Sequence, residues 1–287
     1  MQLSKILLPV DFSDLSAAAA HYAKALACRF QSEVHIVHVF ELSELFAVSP
    51  ESKLPVEWYD EWSSQTKDAL HGFQANEFRD MQVRRTLLKG DAASRIVELA
   101  HSERSDLIVM PTHGYGPFRR FVLGSVTAKV LHDADCPVLT GVHLEHAAPL
   151  EPVAFRNVVC AIDFDSAGER ALRWAAEFAG EFHAGLTLVH ALPVTYGNEM
   201  DFGDSALPAM LRDAAAKKAD ELIRSIGAKA KVVTEVGSVA DVVREAAARA
   251  NADLVVIGRH DSSGLMGRLR THAYAIVRES PCPVVSI

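Results

Sequence analysis

The chain has no apolar run near the roughly 20 residues that span a bilayer, so no membrane association is expected. Its first segment, Met1 to Asp11, carries neither a basic leader nor a long apolar core, which argues against a secretory signal and for a cytoplasmic protein. Positive charge is in deficit: 29 Lys and Arg against 37 Asp and Glu give a formal net charge of -8. Such a surface repels phosphodiester backbones and excludes a broad nucleic-acid interface, though not one small basic pocket. Cysteine is sparse. Cys28, Cys136, Cys160 and Cys282 are scattered, with no C-x-x-C pair to hold zinc or run thiol exchange. They read as small packing residues in a reducing compartment. A G-x-S-x-G elbow, a Walker lysine motif and any Ser-His-Asp or Cys-His arrangement are also missing, so no catalytic base is signalled.

What the chain does have is a repeat. Ile6 to Ser13 matches Val158 to Asp165, and Glu33 to Phe40 matches Gly185 to Leu192. Gly90 with Asp106 to Val109 matches Gly237 with Asp253 to Val256, and Cys136-Pro137-Val138 matches Cys282-Pro283-Val284. Four segments in one order point to a duplicated domain. The boundary falls near Gly141 to Pro152, which gives domains at 1–144 and 153–287.

Each half alternates strand and helix. In the first, strand-length apolar runs lie at Lys5 to Val10, Val34 to Phe40, Gln82 to Leu88, Leu107 to Met110 and Val138 to Val142. Ser13 is placed to cap a helix through about Arg29, and a longer helix covers about Pro55 to Phe78. Asp91 caps a third, and a fourth starts near Gly124-Ser125. In the second half Asp165 and Ser238 are the matching caps. This alternation predicts two tandem, doubly wound α/β domains, each with a five-stranded parallel sheet.

In such sheets a ligand sits beyond the carboxyl ends of the strands. Two segments meet that requirement: Pro9-Val10-Asp11 and the loop from Pro111 to Ser125. A helix starting at Gly124-Ser125 points bare amides at an anion, and Arg119 and Arg120 add positive charge. Asp11 offers an acceptor, or else simply caps the turn that follows it. The loop carries Gly114, nine residues, then Gly124-Ser125-Val126, and downstream come Lys129-Val130-Leu131 and Cys136-Pro137-Val138-Leu139. With Gly90-Asp91, these features resemble the universal stress protein family over nearly all of both halves.

The resemblance implies an adenine-nucleotide α-hydrolase-like fold and an ATP site, with or without magnesium. Its cofactor-binding residues would be Asp11, Val39, Met110, Gly114, Gly124, Ser125, Val126 and Thr127, the Val39 backbone meeting the adenine edge. One position departs from the family pattern: its first glycine is Pro111 here, which lacks an N–H and has a fixed φ. The second half departs further. It keeps Gly258, but Asp261, Thr271 and His272 replace the remaining motif residues. Arg259, Arg268 and Arg270 offset the Asp261 charge, and the copy reads either as a weakened anion site or as a scaffold.

The 13 histidines raise a metal reading. His35 and His38, three apart on a strand, face opposite sides and are poor joint ligands. His143 and His146 read as solvated linker residues, His113 and His260 as matching loop residues. A His260, Asp261 and His272 site has no diagnostic spacing. Trp58, Trp62, Phe73 and Phe78 fall on the long second helix and read as core contacts, or as a partner surface or lid where exposed.

The expected function is a stress-response, nucleotide-dependent regulatory module, at most a slow ATPase. A ligand-free interaction module is the alternative. The first strand carries neither S-G-G-x-D nor H-I-G-H, against a pyrophosphatase or nucleotidyl transferase. The resemblance also implies pairing of the last strands, here Pro137 to Val142 with Pro283 to Ile287. That would make an intramolecular pseudo-dimer with pseudo-twofold symmetry, able to dimerise further. The sequence names no protein partner.

Overall fold

A computed structural model describes residues 1–41, 56–113, 123–141, 153–192, 207–259 and 268–287. The chain divides into two compact units, one within Gln2–Thr140 and the other within Ala154–Ile287.

In the first unit the elements are β1 (Lys5–Pro9), α1 (Asp14–Phe30), β2 (Glu33–Phe40), α2 (Val56–Gly72), β3 (Val83–Lys89), α3 (Ala92–Glu103), β4 (Leu107–Val109), α4 (Ser125–Asp133) and β5 (Val138–Thr140). The strands lie in the order β3-β2-β1-β4-β5, and every pairing within the unit is parallel. The second unit repeats the plan with β6 (Asn157–Ala161), α5 (Ser166–Phe182), β7 (Gly185–Leu192), α6 (Leu207–Ile226), β8 (Lys231–Val236), α7 (Val239–Arg249), β9 (Leu254–Ile257), α8 (Arg268–Glu279) and β10 (Val284–Ser286). Its order, β8-β7-β6-β9-β10, is the same path. This is the doubly wound parallel α/β fold read from the sequence.

A central parallel strand is covered on both faces and therefore needs continuous apolar sequence. Ile6, Leu7 and Leu8 of β1 are fully buried, as are Ile108 and Val109 of β4. Each such side chain contributes about 1.5–3 kcal/mol on leaving water. The outer strand β3, Val-Arg-Arg-Thr-Leu-Leu-Lys, is half-exposed and carries charge, which discourages edge-to-edge pairing.

The duplication extends to single hydrogen bonds. Asp106 Oδ2 accepts from the backbone N–H groups of Ser4 and Lys5 at 2.7 and 2.9 Å. Asp253 Oδ2 accepts from those of Arg156 and Asn157 at the same two distances. All four anticipated caps form: Ser13 accepts from Ser16 N–H, Asp91 from Ser94, Asp165 from Gly168 and Ser238 from Asp241.

The helix expected to run to Phe78 stops earlier. α2 ends at Gly72, and Gln74 adopts a left-handed backbone with φ 48°. The Arg85 guanidinium donates to the Leu70 and Phe73 carbonyls and so fixes that end. Apolar spacing continues past the turn because Phe78 is itself buried.

Candidate functional site

Reversal of strand order between β1 and β4 opens a crevice at their carboxyl ends, where such folds bind ligands. In the first unit this crevice is a cleft of about 760 Å³. Asp11, Val39, Met110, Gly124, Ser125, Val126 and Thr127 all line it. The eighth anticipated residue, Gly114, lies outside the described residues, as do Arg119, Arg120, His143, His146, His260, Asp261 and most of the boundary segment from Gly141 to Pro152.

The floor of the cleft is the start of α4. Gly124 is its N-cap and offers no side-chain hydrogen bond to the first turn, an arrangement that suits an anion at a helix start. Two bonds fix this turn against the end of β4. Gly124 N–H donates to the Thr112 carbonyl at 2.8 Å, and the Thr127 hydroxyl donates to the Pro111 carbonyl at 2.9 Å. A Cβ at Gly124 would lie 3.2 Å from both His113 Cα and the Thr112 oxygen, a tight contact that a side chain here could make only if those neighbours gave by a few tenths of an ångström. Lys129 reaches from α4 to Asp91 Oδ1 at 2.8 Å and Ser94 Oγ at 2.9 Å, which ties α4 to the start of α3. The Lys129 hydrogen bond, together with those from Ser94, holds the Asp91 carboxyl well below the usual carboxylate range; the same contact pushes the Lys129 ammonium up.

Asp11 lines the cleft and also braces the turn that follows it. Its Oδ1 accepts from the Ser13 N–H and hydroxyl, at 3.1 and 2.5 Å, and from the Ser16 hydroxyl at 2.6 Å. No described residue donates to its Oδ2. The tip of β1 is shaped to match: Phe12 sits in the left-handed region at φ 63°, a conformation that costs a branched or bulky residue on the order of 1–3 kcal/mol. Its ring lies against His38 and Phe73, with centroids at 4.5 and 6.0 Å.

Beyond Val39, which was anticipated, and Trp62, read as core or lid, the wall includes residues that sequence reasoning did not name for the site. Phe12, His38, Trp62, Thr66 and Ile96 also line the cleft. Trp62 packs on Phe40 with centroids 3.9 Å apart. The opposed faces expected for His35 and His38 are observed: His35 bonds Glu103 and Thr86, whereas His38 bonds the Val10 carbonyl.

The second unit closes the equivalent crevice. The space lined by Ile162, Asp163, Gly168, Gly258 and His272 is about 50 Å³. Gly168 stands where Ser16 stands in the first unit, and a Cβ there would lie 1.9 Å from the Asp163 carbonyl oxygen. The strand tip therefore rests directly on α5, and Phe164 is not left-handed as Phe12 is. The Asp163 side chain is 52% exposed and comes only within 4.0 Å of His190. α8 begins at Arg268, so Thr271 and His272 lie inside the helix rather than at its start. No group of three or more His, Cys, Asp or Glu among the described residues could hold a metal ion.

A match to the universal stress protein family spans residues 3–140 and again 154–287. The chain belongs to the universal stress protein family. Universal stress protein MJ0531 of Methanocaldococcus jannaschii is 37% identical over 142 residues, 47% of this chain and 79% of that protein. Universal stress protein Rv2005c of Mycobacterium tuberculosis is similar along the whole length: 25% identical over 298 residues, 98% of this chain and 95% of the relative. A universal stress protein from Archaeoglobus fulgidus has the same fold, with a TM-score of 0.73 over 99% of this chain and 96% of that one, at 21% identity. The duplicated family match and the repeated strand path agree. No helix among the described residues is long and apolar enough to cross a membrane.

Proposed function

We propose that the first unit binds ATP, alone or with magnesium, and that the chain works as a nucleotide-dependent regulatory module rather than as a fast enzyme. The observation that carries this reading is the pairing of an uncapped helix start with an acidic strand tip across one roomy cleft. The α4 amides suit the phosphates, Asp11 Oδ2 suits a ribose hydroxyl or the base, and Val39, Met110 and Ile96 supply apolar wall. The cleft volume falls within the range of about 300–1,000 Å³ common for small-molecule sites. In the same reading the second unit is a scaffold, and the chain takes up one nucleotide.

Ligand-free action as an interaction module is the competing reading. Pro111 favours it, because the cleft edge lacks one N–H that could meet a ligand. Titration calorimetry of the whole chain with ATP and magnesium separates the two. One site per chain is expected, and Ser125→Asp should weaken it at least tenfold by setting a carboxylate against the phosphates. No heat and no thermal shift with ATP would leave the interaction module standing.

A further inference from the structure

The two units differ where the first helix meets the connection into the outer strand. α1 and α5 are both 17 residues long and run between matched ends: Ser13 and Asp165 cap them, and Gln31 and His183 close them in the left-handed conformation. Lys24 of α1 therefore corresponds to Ala176 of α5, and Cys28 to Gly180. In the first unit ten residues, 73–82, lead from α2 to β3. They are tied to α1 by Lys24 Nζ, which donates to Glu77 Oε2 at 2.7 Å, and the next residue, Phe78, is buried to 3% exposure. In the second unit only four residues, 227–230, lead from α6 to β8. Between α5 and this short connection lies a groove of about 440 Å³. Ala176, Gly180 and Ala228 line it and project little into it. Its charged lining residues are Arg173, Glu177 and Lys229, one more cation than anion. Arg173 already pairs with Glu169 at 2.7 Å, whereas Lys229 is exposed and has no ionic partner among the described residues.

One copy of the fold thus joins these two elements with its own acid and an adjoining buried aromatic ring, and the other leaves room and a spare cation. We propose that the groove of the second unit receives a segment of a partner protein in which an acidic residue stands beside an aromatic one. The carboxylate meets Lys229, and the ring enters the space left by Gly180 and Ala228. Burial of the ring supplies most of the affinity, and the charge pair fixes the register of the segment. A second copy of this chain is a poor donor, because its Glu77 is paired and its Phe78 buried. The groove shares no lining residue with the small space at the β6 tip or with the cleft of the first unit, so the inference stands apart from the nucleotide reading.

The test uses the full chain and, as probe, a labelled and end-blocked peptide of residues 72–81, Gly-Phe-Gln-Ala-Asn-Glu-Phe-Arg-Asp-Met, followed by fluorescence anisotropy. Wild-type protein should bind it with a dissociation constant of about 0.1 mM, and peptides carrying Glu77→Lys or Phe78→Ala about tenfold more weakly. A Cβ at Gly180 meets no heavy atom within 4 Å, and leucine is the better helix former, so Gly180→Leu fills the groove without disturbing the fold. It should weaken the unchanged peptide about tenfold. Lys229→Glu should weaken it too, and should regain binding with the Glu77→Lys peptide. No binding by the wild type at about 1 mM peptide, equal binding by the wild type and Gly180→Leu, or a charge exchange that rescues nothing overturns the inference. Should Gly180→Leu not fold, the charge exchange on the exposed connection decides alone. Self-association of the wild type that Gly180→Leu abolishes would assign the groove to a second copy and likewise overturn it.

Discussion

The Thr127 hydroxyl donates to the Pro111 carbonyl, 16 residues earlier in the chain, at 2.9 Å. One side chain in the first turn of α4 thereby fixes the end of β4, where proline has already removed a backbone donor. Thr127 is 3% exposed. Thr127→Val keeps the shape and deletes the donor, leaving a buried carbonyl unpaired, and should cost about 1–3 kcal/mol. Thr127→Ser should cost less. Urea unfolding of the two variants compares them directly; equal losses would show that packing, not the hydrogen bond, matters there.

The Lys129–Asp91 contact gives a prediction in pH. The folded Asp91 carboxyl titrates below its ordinary range, so its contribution is present above about pH 4 and is lost as pH falls through the depressed value. The Lys129 ammonium is raised, so its contribution is full below about pH 10 and is lost as pH climbs through the raised value. Lys129→Met should therefore lower the urea midpoint near pH 7 and lower it less near pH 2, where part of the Asp91 contribution is already lost. Both groups are exposed, so added salt should shrink the effect at neutral pH.

In the two strand tips, Ser16 and Gly168 invite opposite substitutions. Ser16→Ala removes the hydroxyl that holds Asp11 and should cost about 1 kcal/mol. Gly168→Ala forces a methyl group to within 1.9 Å of a carbonyl oxygen unless the tip moves, and should cost about 2–3 kcal/mol. Thermal unfolding of both variants tests the asymmetry, which disappears if the Asp163 loop yields easily.

Thiol chemistry should divide the four cysteines. Burial pushes the Cys160 thiol well up, and burial also takes Cys282 to about 12. Cys28 is exposed and Cys136 half-buried. A thiol reagent at pH 8 should label Cys28 first and should reach Cys160 and Cys282 only after unfolding. Labelling of Cys160 in the native protein would contradict its placement in β6.

The fold was legible because each of its devices is local. Ser13, Asp91, Asp165 and Ser238 announced their helices through capping chemistry, and the apolar runs of β1 and β4 announced strands covered on both faces. The α4 side of the cleft was equally visible, since Gly124 and Ser125 mark it in one short stretch. What escaped was non-local. Val39 was anticipated, yet the side chains of His38, Thr66 and Ile96 reach the cleft from three separate elements, and no local pattern brings them together. The extent of α2 was misjudged because periodicity cannot register Gln74 turning left-handed. In the second copy, the substitutions at Thr271 and His272 were noticed, whereas the residue resting against the strand tip, Gly168, was not.

That glycine constrains how the duplicate could ever change. Restoring a serine at 168, as the first copy has at 16, would by itself produce only a collision with Asp163. The backbone at Phe164 would have to flip into the geometry of Phe12 in the same event, and α8 would have to lose its leading turn. The present geometry at residue 168 thus ties any opening of this crevice to a rearrangement of the neighbouring backbone rather than to a side-chain exchange alone.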